Sequence, residues 1–283
     1  MRIANVDGRL KLLVHGGAVD VASASDGRFD SDPARCFEQF KELGRWAADV
    51  DAPLEPFDET TAGPPSPAPR QIFGIGLNYV DHAAESGLDL PTAPLVFPKF
   101  ASSLIGASAH VQLPNGSVDW EVEIVVVIGE AARFVSPADA WDVVAGLTVG
   151  QDLSERELQW SGPAPQFGLA KSFPGFSPMG PCLVTPDELE DPNELALGCE
   201  LNGESVQLGR STDMVFSVPE VIAYLSGIVT LLPGDVIYTG TPAGVGAGRT
   251  PPRFLRAGDD LRSWVEGIGA ITQTFAAPSS TSG

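Results

Sequence analysis

Acidic residues recur at every second position in Asp119, Glu121 and Glu123, within the run DWEVEIVVVIG. Val and Ile dominate the run, which predicts a β-strand over Asp119–Gly129. Side chains on a strand alternate faces, so the three acids share one side with Val125 and Val127. Trp120, Val122, Ile124, Val126 and Ile128 form the other side, which is wholly apolar and suited to a core. Same-face neighbours lie roughly 6–7 Å apart, where like charges repel by about 2.5 kcal/mol at an effective dielectric of about 20. A carboxylate relieves this by taking up a proton, or a cation sits between the acids. An all-oxygen cluster suits a hard divalent ion such as Mg²⁺ or Mn²⁺. An edge strand with its acids in water is the plainer alternative.

Four further groups could serve such a centre. The composition of Tyr79–Ser86 suits a helix that stops at Gly87, and it sets His82 and Glu85 three residues apart on one face. A carboxylate beside a histidine fixes its tautomer and raises its basicity, the makings of a general base; a surface pair is the alternative. Asp152, Arg156 and Gln159 follow at helical steps. Arg156 could orient Asp152 or hold a substrate carboxylate, while Asp152 could equally be a helix cap. Lys171 stands among Phe167, Leu169, Phe173 and Phe176, so if held inside it must face an anion. In TGTPAGVGAG, residues 239–248, backbone N–H groups and Thr241 could cradle an anion, although the loop lacks the GK[ST] of a phosphate loop. Lys99 could be a functional cation, although a solvated lysine is the favoured reading, and His15 and His110 lack an evident partner.

The elements that must position these groups are mostly strands. Short strands are expected at Arg2–Val6, Arg9–Val14 and Ala18–Val21, then a helix over Pro33–Val50 with Phe37, Phe40, Leu43 and Trp46 as its core stripe. Together they read as a small α+β domain, residues 1–59, joined by a Pro-rich linker, 60–70, to a larger domain, 71–275. Within the larger domain, strands are expected at Gln71–Ile75, Val143–Val149, Leu197–Leu201, Glu204–Leu208 and Asp235–Tyr238. Asn202-Gly203 marks a hairpin, Val218–Ser226 an amphipathic helix, and residues 161–181 a loop. The tail, 276–283, is expected to be disordered.

The chain has 283 residues and a formal charge of −20, which disfavours nucleic acid and anionic membranes as partners. Its three cysteines, Cys36, Cys182 and Cys199, are widely spaced with no CxxC, against a disulfide framework or zinc site. No run approaches the 18 apolar residues of a membrane span, and the start lacks a signal-peptide layout, so a cytoplasmic protein is expected.

In consistent order from about residue 72 to 275, GLNYVDHAAE, DWEVEIVVVIG, QDLSERELQ, AKSF, LNGESVQ and GDVIYTGTPAGVG resemble the fumarylacetoacetate hydrolase superfamily, in its short bacterial two-domain form. The resemblance implies a mixed, mainly β fold, a rolled β-sandwich with a small N-terminal α+β domain, and a homodimer. It implies Mg²⁺ (or Mn²⁺) held by Glu121, Glu123 and Asp152. His82 and Glu85 would activate water, with Lys171 as a third catalytic group, and Arg156, Gln159 and Thr241 would contact a small keto acid. Where the family often has Asn before the ligand aspartate, this chain has Gln151. The implied activity is hydrolysis of a carbon–carbon bond in a β-diketo acid such as an acylpyruvate. Oxaloacetate decarboxylation or isomerisation of a 2-hydroxy-dienoate on the same site is the alternative, and a non-catalytic ligand-binding homologue a second.

Overall fold

Alternation along the acidic strand decides the layering. A computed structural model of the chain describes residues 1–278. Val122–Ile128 runs through a sheet buried on both faces: Val122, Ile124, Val126 and Ile128 enter one core, Val125 and Val127 another.

The larger sheet has eleven strands. Its path is Gly17–Asp20, Arg9–Val14, Arg2–Val6, Ser177–Val184, Val144–Gln151, Val122–Ile128, Val236–Tyr238, Ile72–Gly76 and Leu95–Pro98, with Ala62–Gly63 and Leu104–Ile105 as side branches. A five-stranded sheet, ordered Glu204–Arg210, Ala196–Leu201, Asp260–Val265, Gly269–Ala276 and Ser108–Gln112, packs across it. Leu147, Val149 and Val184 of the first sheet share a core with Leu197, Cys199, Leu261 and Ile271 of the second. The fold is thus mixed and mainly β, two sheets face to face, as expected. The hairpin at Asn202-Gly203 has φ of +54° and +78°, the left-handed pair that a two-residue turn of this twist requires.

Several expectations need adjusting. Residues 1–59 supply strands to the end of the same large sheet, with Arg2 opposite Val184 and Ile3 opposite Leu183. The helical stripe in that segment splits into a 3-10 turn, Pro33–Gln39, and an α-helix, Phe40–Ala47. Phe37 and Leu43 bury into the core that takes Val125 and Val127. The stretch read as a linker begins in the sheet, since Ala62 and Gly63 pair with Val6 and Asn5.

The strand expected over Asp119–Gly129 is broken. Val118–Asp119 pairs with Ser154–Glu155, and the long strand starts at Val122. At the break, side chains take the place of ladder partners: Trp120 N donates to Asp119 Oδ1 at 2.8 Å and Glu121 N to Gln151 Oε1 at 2.8 Å. The expected loop 161–181 contains a short helix, Phe167–Ala170, and the start of the strand Ser177–Val184. Of the expected tail, Ala276 ends the last strand opposite Gln112, and residues 279–283 lie outside the described residues. All three cysteines are free and buried. No helix of the described residues is long and apolar enough to cross a membrane.

Ile124, 1% exposed at the centre of this sandwich, is its most direct test. Ile124→Ala is expected to lower stability by about 2–5 kcal/mol, as large-to-small core changes do. Urea unfolding should show an earlier midpoint at an unchanged slope.

Candidate functional site

Glu121, Glu123 and Asp152 each offer an oxygen such that the three lie within 4.8 Å of one another, and all three residues are buried. Two neighbouring strands bring them together. Glu123 stands opposite Gly150 in the ladder, where a Cβ would run into Val125 and the Tyr238 ring, so only glycine fits beside it. Asp152 follows the strand Val144–Gln151, and its N–H donates to Glu121 O at 2.9 Å. Gln151 ties the break together, accepting from Glu121 N and donating to Ser263 Oγ at 2.8 Å.

Three cations surround these acids. Lys171 Nζ donates to Glu121 Oε2 at 2.6 Å, Asp152 Oδ2 at 2.7 Å and Ser154 Oγ at 2.7 Å. The lone lysine of an apolar stretch is therefore held inside, facing anions. Arg156 donates through Nε to Asp119 Oδ2 at 2.9 Å, through Nη2 to Glu121 Oε1 at 2.7 Å and through Nη1 to Gln159 Oε1 at 2.9 Å. It does not reach for Asp152; its fork is turned to Asp119, Glu121 and Gln159. Asp152 is not a helix cap either: Glu155 caps the helix Arg156–Gln159, accepting from Glu157 N and Leu158 N.

Lys99 is the third cation, and the sequence reading placed it in solvent. Its side chain is fully buried, and Nζ donates to Asp152 Oδ1, to the Lys171 carbonyl and to the Phe176 carbonyl. The apolar run LVFPKF carried the signal, because a lysine there must snorkel out or find a buried anion.

The loop after Val236–Tyr238 does cradle anions, and they are the protein's own. Gly240 N donates to Glu123 Oε2 at 2.7 Å, Gly246 N to Asp119 Oδ1 at 2.6 Å and Ala247 N to Asp119 Oδ2 at 3.0 Å. Gly240 has φ of +99°, a conformation that suits glycine. The same loop reaches the histidine pair: Gly244 N donates to both oxygens of Glu85 at 3.1 Å. Glu85 Oε2 stands 3.4 Å from His82 Nδ1 on the helix Val80–Glu85. Asn78, just before that helix, locks it to the loop, donating to Thr239 O at 2.8 Å and to Phe216 O at 2.9 Å. Thr241 is buried; its hydroxyl donates to Val122 O at 2.9 Å and accepts from Gln207 Nε2 at 2.8 Å.

A cleft of about 310 Å³ collects these side chains. His82, Glu85, Glu121, Glu123, Arg156, Gln159, Lys171 and Thr241 line it; Asp152 does not reach its surface and joins through the carboxylate cluster. His15 and His110 are exposed and take no part. Asp119, fully buried, is the site group whose role sequence reasoning missed: it anchors Arg156 and the glycine loop at once.

Charge is not balanced in this centre. Among the described residues, Asp119, Glu121 and Asp152 form ion pairs with Lys99, Lys171 and Arg156, and Glu123 forms none. Burial alone would push Glu121 up, but the Lys171 and Arg156 charges outweigh it and hold the carboxyl at about 2. Glu123 goes the other way. Burial, then the charges of Asp152 and Glu121, push it well above the usual carboxylate range, against Lys171 and the Gly240 N–H. Burial opposes the Lys171 ammonium, yet Asp152 and Glu121 raise it. Burial lowers Lys99; Asp152 opposes that, and the Lys171 charge adds to it. At Glu85, burial is outweighed by the His82 and Gly244 hydrogen bonds, which hold the carboxyl low. The donor set fits a hard divalent cation: three carboxylate oxygens converge, and Glu123 lacks a cation of its own.

Residues 71–276 match the family described as "Fumarylacetoacetate (FAA) hydrolase C-terminal". The human protein "Oxaloacetate tautomerase FAHD2A, mitochondrial" is 42% identical over 252 residues, 86% of this chain and 80% of that one. A Mycobacterium smegmatis crystal structure, provisionally named an HpcE protein, is 53% identical with a TM-score of 0.95, over 99% of this chain and 100% of that one. The maleylpyruvate hydrolase of Sphingobium sp. SYK-6, crystallised with manganese(II) and pyruvate, is 28% identical with a TM-score of 0.79, over 99% and 100% of the two chains.

The raised Glu123 gives a pH test. In the metal-free protein, the stability that Glu123 contributes is complete below its unfolded pKa, near 4.5, and is lost as pH rises through its higher folded pKa. A cation must displace that proton, so Mn²⁺ affinity should climb with pH in the same window, by up to about tenfold per pH unit for one proton. Calorimetry in buffers of different ionisation enthalpy should detect the released proton. Glu123→Gln should weaken binding and flatten its pH dependence.

Proposed function

The chain belongs to the fumarylacetoacetate hydrolase family, and from that premise we propose that it is a divalent-metal-dependent enzyme that hydrolyses a carbon–carbon bond in a 3-acylpyruvate. The observation that carries this reading is the His82–Glu85 pair, which lines the same cleft as the carboxylate cluster. A binding protein needs the cluster but has no use for a general base beside it.

Glu121, Glu123 and Asp152 would hold the cation. When bound, Mg²⁺ or Mn²⁺ would polarise the keto acid and stabilise the charge of an enolate. Lys171, held at the cleft by Glu121 and Asp152, adds a fixed positive charge for the same oxygen. His82 takes a proton from water, and Glu85, itself anchored by Gly244 N, stabilises the imidazolium. The water oxygen bonds to the distal acyl carbon. The bond from that carbon to the pyruvate methylene then breaks, and its electron pair goes to the pyruvate enolate. His82 returns the proton to the methylene carbon. One water thus adds its hydroxyl to the acyl fragment, released as a carboxylic acid, and its hydrogen to pyruvate.

The resemblance to oxaloacetate tautomerases supports a second reading. There the same base would move a proton between the carbon and oxygen of oxaloacetate with no bond cleaved. Acylpyruvate cleavage and loss of the oxaloacetate enol, each followed by absorbance, separate the two.

His82→Ala is expected to lower kcat by about 10²–10⁴-fold, the range for removing a general base, with Mn²⁺ affinity nearly unchanged. Loss of metal binding in that variant would refute the role given to His82.

A further inference from the structure

A second cavity, about 650 Å³, opens off the catalytic cleft and shares Leu77, Leu88, Phe97, Trp160 and Phe167 with it. Among the described residues none of its lining side chains is ionisable. Its wall is a pre-packed aromatic row: the Phe97 and Phe167 rings meet edge to face at 5.6 Å, and Trp160 and Phe167 at 6.0 Å. Trp160 is 55% exposed and Leu169 64%, so the row leaves substantial apolar surface in water.

The chemistry at the cleft orients whatever enters this annex. A keto acid bound through a divalent cation at the carboxylate cluster, with its distal carbonyl toward His82, can run the remainder of its acyl group along the Phe97, Trp160 and Phe167 wall that the two cavities share. A carboxylate on that group would lose water with no cation to meet it, because Lys171, Lys99 and Arg156 are already paired with the protein's own acids. The chain's charge of −20 adds repulsion. An alkyl or aryl group instead gains by burying against Trp160, Phe167 and Leu169.

We propose that this annex binds an uncharged, apolar acyl tail, so that the substrates are alkanoyl- or aroylpyruvates and not dicarboxylic keto acids. The inference rests on the hydrolase reading and names its substrate class. Leu169, which lines the annex and not the catalytic cleft, is the specificity-determining position most open to change.

The test uses the full chain with saturating Mn²⁺. Acetyl-, butanoyl-, hexanoyl- and benzoylpyruvate are compared with an acylpyruvate carrying a terminal carboxylate and with oxaloacetate. Across the alkanoyl series kcat/KM should rise, by up to about fourfold for each fully buried methylene. The terminal carboxylate should lower it at least about tenfold relative to an alkyl group of equal length, the scale of an unpaired buried charge. Leu169→Arg should flatten the alkanoyl series and improve the carboxylate-tailed substrate. Turnover with a flat series, or with preference for the carboxylate, overturns the inference and leaves the hydrolase reading standing. A flat series together with a dimer that Leu169→Arg dissociates overturns it too, and gives the apolar surface to a second copy of the chain. No acylpyruvate turnover with metal bound overturns the hydrolase reading and this inference with it.

Discussion

Four carboxylates held out of water within one protein centre repel one another strongly, and the arrangement of the surrounding elements follows from that repulsion. Asp119, Glu121, Glu123 and Asp152 are all buried, yet only Glu123 lies within a strand of the larger sheet: Asp119 ends a short strand paired with Ser154–Glu155, Glu121 stands in the break before Val122, and Asp152 follows Val144–Gln151. No single element supplies enough positive charge. Lys99 arrives after an edge strand, Arg156 on a four-residue helix and Lys171 at the end of another. Backbone N–H groups of the glycine loop supply the rest as fixed dipoles. What remains uncompensated at Glu123 is a demand that a divalent cation would meet.

The same geometry couples the base to the cluster. Glu85 and Asp119 accept from N–H groups only two residues apart, Gly244 and Gly246, so one loop sets both the histidine pair and the Arg156 anchor. Asn78 fixes the start of the histidine helix to that loop. A shift of the loop would therefore disturb the His82–Glu85 pair and the carboxylate cluster together. Keeping these groups in register needs a rigid support. The two apolar cores on either side of Val122–Ile128 provide one.

A centre of this kind favours enolates without dictating their fate. The charge needs of a departing pyruvate enolate and of a tautomerising keto acid are alike. The distinction comes from what lies beyond the charged groups: access for water at His82 and the character of the surface that meets the rest of the substrate. In this chain the cavity beside the cleft is lined by aromatic and aliphatic side chains.

Local pattern determined a good deal. Period-two alternation separated the two faces of Val122–Ile128, because parity decides which side of a strand a side chain takes; it did not show the break before Val122 or that both faces are buried. Positive-φ chemistry at Asn202-Gly203 and the apolar stripe of Phe37 and Leu43 are equally local. The match of motifs in order pointed to Glu121, Glu123, His82 and Glu85, which the fold then brings around one cleft, and to Asp152, which joins Glu121 and Glu123 behind it. What only the tertiary structure decided was pairing across the chain. Lys99 looks solvated until Asp152, 53 residues away, is folded onto it, and Arg156 turned out to face Asp119 and Glu121. Sequence spacing says which groups can share a face, but a buried charge is placed by whichever opposite charge the completed fold brings within hydrogen-bond reach.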